Sequence, residues 1–126
     1  MKPEQFSLNQ KDFKQTYLNE LQNKKWLTEI EISMQCEVLA DMEERKERIE
    51  SQKEIIIKAI EDLQKETTYE ARQKRKEREE KLKECEKKIE EQTKEIEVIW
   101  KKIEGLEINL RDLEIYIRKV ENTKQN

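Results

Sequence analysis

Histidine is absent from this chain, glycine and proline each occur once, and there are only two cysteines. Without histidine, the chain lacks the one side chain whose ordinary titration falls near neutral pH, and so the commonest general acid–base group. Cys36 and Cys85 stand far apart, with no CxxC spacing, too few for a disulfide framework and poorly spaced for a metal site. Both are expected to act as small buried apolar groups. A single glycine leaves no Gly-rich phosphate loop. The turn clusters that punctuate strand-rich folds do not recur. No apolar run approaches the roughly 18 residues that span a bilayer, and "MKPEQFSLNQ" lacks the apolar core of a signal peptide. Its carboxylates are interleaved with Lys and Arg as solvated faces rather than paired as catalytic acids. These absences lead us to expect no enzyme, no cofactor, no metal, no membrane insertion and a reducing, cytoplasmic setting.

What is present is charge and periodicity. Charged residues make up 45% and hydrophobic ones 33%, with 27 basic against 30 acidic side chains. The net charge of −3 argues against a protein that holds nucleic acid by neutralising phosphates. Interspersed charge of both signs over an apolar repeat is the composition of a coiled coil or long helix. The fold class expected is therefore all-α. The alternating stretch "EIEISMQCEV" would suit a strand, but no strand partner of similar quality exists in the chain.

The carboxy-terminal half keeps one heptad register, positions lettered a to g. Leu82, Ile89, Ile96, Ile103, Leu110 and Ile117 occupy a; Cys85, Gln92, Ile99, Leu106, Leu113 and Val120 occupy d. The central part has its own register, with Leu39, Lys46, Lys53 and Ile60 at a and Met42, Ile49, Ile56 and Leu63 at d. The two registers miss each other by one residue across the polar stretch 64–81. Either a long rod skips there, or the chain turns back.

An antiparallel hairpin sets each a position against a d position. Folding near residues 70–75 gives the layers Leu63 with Leu82, Ile60 with Cys85, Ile56 with Ile89, Ile49 with Ile96, Met42 with Ile103 and Leu39 with Leu106. Lys53 then meets Gln92, joining the two polar interruptions, while Lys46 opposite Ile99 resists the scheme. The domains expected are a frayed 1–7, helix A over 8–68 (with Ser7 in a capping box), a turn or hinge over 69–75, helix B over 76–122 and a disordered 123–126. The rival is an extended parallel two-stranded coiled coil, which the helix formers from Ala71 to Lys76 favour.

The seam alone is thin for a chain of this length, and further apolar residues lie off it in residues 26–42 and at Val98, Trp100, Ile108, Ile115 and Tyr116. Self-association into a dimeric helical bundle is the consequence expected. Phe6, Phe13, Tyr17, Leu21, Trp26 and Trp100 are the candidate docking residues for another protein, as an amphipathic helix in a groove.

The run "ARQKRKEREEKLKECEKKI", residues 71–89, resembles a basic region leading into a zipper, as in the bZIP family. The Asn and paired Ala that read bases in that family are missing, and Glu77, Glu79 and Glu80 interrupt the charge. Arg72, Lys74, Arg75, Lys76 and Arg78 therefore stand as a weak basic patch, and nucleic-acid association as an alternative function. The leading expectation is a non-enzymatic scaffold that self-associates and docks other proteins. A second alternative is an adaptor or chaperone, because the architecture is similar in size and shape to the small helical-hairpin stalk proteins of bacterial export ATPases.

Overall fold

The computed structural model describes the backbone of residues 3–123 and the side chains of residues 12–123. Two long helices, α1 (Pro3–Gln64) and α2 (Tyr69–Glu121), pack as a hairpin. Proline suits the first helical position, where its missing N–H would have no partner. The helix thus starts upstream of residue 8, and Ser7 lies within it instead of capping it. The stretch "EIEISMQCEV" is helical throughout.

The connection occupies residues 65–68 rather than 69–75, and α2 starts at Tyr69 rather than near residue 76. Local chemistry explains the difference. The end of α1 tightens, with the Lys65 amide donating to the Asp62 carbonyl at 3.3 Å and the Glu66 amide to that of Leu63 at 3.2 Å. Thr68 then caps α2, its Oγ1 accepting from the Ala71 amide at 3.2 Å. Glu70 adds a carboxylate to the electropositive first turn. No described residue has a positive φ, so this turn requires neither Gly nor Asn. The helix formers from Ala71 to Lys76 are accommodated by placing them after the turn.

The chain divides into two compact units, Met1–Cys36 with Lys101–Asn126, and Glu37–Trp100. In Glu37–Trp100, which holds the connection, Leu39, Ile60, Cys85 and Ile96 are buried. Met42, Ile49, Ile56, Leu63, Leu82, Ile89 and Ile99 are half-buried. Ala71, just after the turn, is also buried. The facing pairs differ from those expected. Lys53 Nζ lies 3.8 Å from Glu86, beside Cys85, rather than reaching Gln92. An earlier turn with a kept against d displaces the layers by one heptad. Ile56 then stands level with Leu82, Lys53 with Cys85, Ile49 with Ile89, Lys46 with Gln92 and Met42 with Ile96. Lys46 no longer confronts Ile99, and its half-buried stem shares a polar layer with Gln92.

In the other unit, Ile103 and Ile117 of α2 are buried, and Leu106, Leu110, Leu113 and Val120 half-buried. The α1 seam carries on below Leu39 at the same spacing: Lys14, Leu18, Leu21, Lys25, Thr28, Ile32 and Gln35. Leu21 is buried and the rest half-buried, so four of these seven seam positions, Lys14, Lys25, Thr28 and Gln35, are polar. Lys14 Nζ donates to the Thr123 carbonyl at 3.0 Å, and Lys25 Nζ lies 3.9 Å from Glu114.

Candidate functional site

Every residue of the expected seam is buried or half-buried. What remains outside it is the material for a site. The largest set belongs to the unit formed by Met1–Cys36 and Lys101–Asn126. Exposed there are Phe13 (76%), Tyr17, Trp26 (58%), Leu27 and Met34 (54%), together with Ile30, Ile108, Ile115 and Tyr116. Of the expected docking residues, Leu21 is a core residue instead, because it falls at d of the continued seam. Phe6 has a side chain outside the described residues. Trp100 is exposed in the unit Glu37–Trp100, as are Val38, Ile55, Tyr69 and Val98.

Heptad position sorts the first unit's surface into two sides. In an antiparallel pair the g positions of both helices share one side and the e positions the other. Tyr17 and Tyr116, both at g, meet edge to face with ring centroids 6.1 Å apart and planes at 78°. Glu31 and Lys102, also both at g, lie 3.9 Å apart. Chiefly by hydrogen bonding with Tyr116, and then by partial desolvation, the Tyr17 phenol is held above its ordinary pKa.

Two open apolar grooves flank this tyrosine pair. One, of about 590 Å³, runs between Leu27 on α1 and Leu113 and Tyr116 on α2. The other, of about 460 Å³, is lined by Phe13, Tyr17 and Val120 with Lys14 and Thr123. Charged residues at c and g of this unit are Glu20, Glu31 and Asp112 against Lys24, Lys102 and Lys119, which cancel, and Lys14 of the seam adds one positive charge at the second groove.

The e side is different. Its groove, of about 540 Å³, is lined by Gln22, Lys25, Trp26, Glu29, Glu114, Ile117, Arg118 and Glu121. At b and e, Asp12, Glu29, Glu104, Glu107, Glu114 and Glu121 face Arg111 and Arg118, and Lys25 of the seam reaches Glu29 and Glu114 in the groove, which leaves an excess of three negative charges. One side is apolar and close to neutral; the other is acidic with a single exposed indole.

The basic patch falls on the first turns of α2, where Arg72, Lys74, Lys76 and Arg78 are exposed and Arg75 is half-buried, 3.9 Å from Glu79. Cys85 is buried as expected, whereas Cys36, at e, is exposed. Among the described residues, no three His, Cys, Asp or Glu are grouped to hold a metal ion, and no helix is long and apolar enough to cross a membrane. The sequence pattern missed the polar half of the α1 seam, since Lys, Thr and Gln at a and d carry no hydropathy signal. No protein-family model, curated protein or solved structure matches this chain.

Proposed function

We propose that this protein is a non-enzymatic coiled-coil scaffold that works by self-association and by docking other proteins on its helical faces. One observation carries the reading: large apolar side chains remain on the outside after the hairpin has closed its own seam. Phe13, Trp26, Leu27, Met34 and Tyr116 are each about half exposed or more. Large apolar side chains left exposed in such number on a small protein mark interaction surfaces. Burying a Leu or Met side chain contributes about 1.5–3 kcal/mol, so several together supply a driving force for association.

The docking role draws on the acidic e side, where Trp26 offers an aromatic anchor among carboxylates. That surface fits a basic amphipathic helix, with cation–π contact from Lys or Arg adding to the charge attraction. The setting we propose is a reducing, cytoplasmic one, in keeping with an exposed Cys36 that has no partner in the chain. Sedimentation equilibrium over a hundredfold range of concentration tests the scaffold reading. Dimers in the micromolar range are expected; a single-chain mass throughout removes it.

A further inference from the structure

From the two sides of the unit Met1–Cys36 with Lys101–Asn126, we infer that the c/g side is the seam between two copies of this chain. They join about a two-fold axis, leaving the e side free for other partners. The inference rests on the self-association proposed above and adds which face is covered, and by what.

Charge decides the occupant. Glu20, Glu31 and Asp112 balance Lys24, Lys102 and Lys119 on the c/g side, and Lys14, bonded to the Thr123 carbonyl, is the one further charge, so a second copy meets little net repulsion and finds both signs available for pairing. A face built for a charged partner would carry an excess of one sign. The b/e side does carry such an excess, and two copies placed there would oppose like charges, which disfavours that pairing.

Area agrees with charge. From their fractional exposures and side-chain areas of roughly 150–250 Å², Phe13, Tyr17, Leu27, Met34 and Tyr116 expose on the order of 500–600 Å² of largely apolar surface, and flanking charged stems extend it. That is the same order as the roughly 800 Å² per partner of a standard stable interface. The ridge of the Tyr17–Tyr116 pair, with a groove on either hand, suits a self-complementary contact in which ridge and groove exchange. An isologous contact through one such face closes at two copies and does not propagate.

The test pairs two variants with a measurement on the unaltered chain. Leu27→Glu places a carboxylate in the c/g side and is expected to raise the dimer dissociation constant about 100-fold or more by sedimentation equilibrium. Trp26→Gln, next along the helix but on the b/e side, is expected to change it less than threefold. Hydroxyl-radical oxidation of the unaltered protein needs no variant to fold. Raising concentration through the dissociation constant should lower oxidation of Met34 and Tyr116 several-fold and leave Trp26 unchanged. A dimer that survives Leu27→Glu, or one that protects Trp26 while Met34 stays reactive, overturns the face assignment and leaves self-association standing. An unaltered chain that is monomeric at every concentration overturns both, and returns the c/g side to a different protein.

Discussion

At the scale of single residues, Gln92 is the costliest member of the seam. Its Oε1 is buried and accepts no hydrogen bond from the protein. Lys46, level with it on α1, is half-buried and donates no hydrogen bond to it. An unsatisfied buried acceptor costs about 1–3 kcal/mol, whereas an aliphatic of similar volume gains transfer energy instead. Gln92→Leu is therefore expected to stabilise the hairpin by about 1–2 kcal/mol, read as a higher urea midpoint with an unchanged slope. A loss of stability would mean that Gln92 is hydrogen-bonded in solution. Leu21 has neighbours, Phe13, Tyr17 and Trp26, that suggest a surface patch, yet it is buried because it continues the d positions below Leu39.

At the scale of elements, the connection and the pairing of α1 with α2 are one problem. A hairpin slid by seven residues still sets a against d, so hydropathy alone does not choose between neighbouring registers. The turn chooses, and here it is set by Thr68, whose side chain caps Ala71, and by the tight closure at Lys65 and Glu66. That signal was present in "ETTYEAR", since Thr followed by an acidic first turn marks a helix start. It carries no Gly, Asn or Pro, and so does not read as a turn by composition. The helices, the seam members and the antiparallel order were thus legible from spacing, while the register and the polar part of the seam were not. The native Cys85 offers a direct check. With Cys36→Ser to remove the exposed thiol, Lys53→Cys should join Cys85 within one chain through a short thiol-specific cross-linker. Ile60→Cys, the partner that the later turn would demand, should react several-fold less. The reverse order would restore the later turn and displace the layers described above. The salt bridge from Lys53 to Glu86, at 3.8 Å and partly solvated, is itself worth at most about 1 kcal/mol, so its loss in the variant should not unfold the pair.

At the scale of the whole molecule, the proposed self-association would link stability to concentration. The seam of the unit Met1–Cys36 with Lys101–Asn126 has polar residues at four α1 positions, and only nine of its thirteen described seam side chains are apolar. A surface layer of Phe13, Leu27, Met34 and Tyr116 lies just outside that weak core, so covering it adds burial where the hairpin itself has least. On the dimer proposed above, folding and association would act as one equilibrium, and mass action would raise the melting temperature as the protein is concentrated. A tenfold rise should lift the midpoint by roughly 3–5 °C for chains of this size. Because the c/g side is close to neutral, the lift should persist at high salt, where a seam made of opposite-sign surfaces would weaken. Leu27→Glu should abolish the dependence and Trp26→Gln should retain it. Melting followed by circular dichroism at 222 nm, at several concentrations and two salt levels, reads all of these together. A midpoint independent of concentration in the unaltered protein would mean that the hairpin is stable alone, and that its outer apolar layer is kept for a different partner.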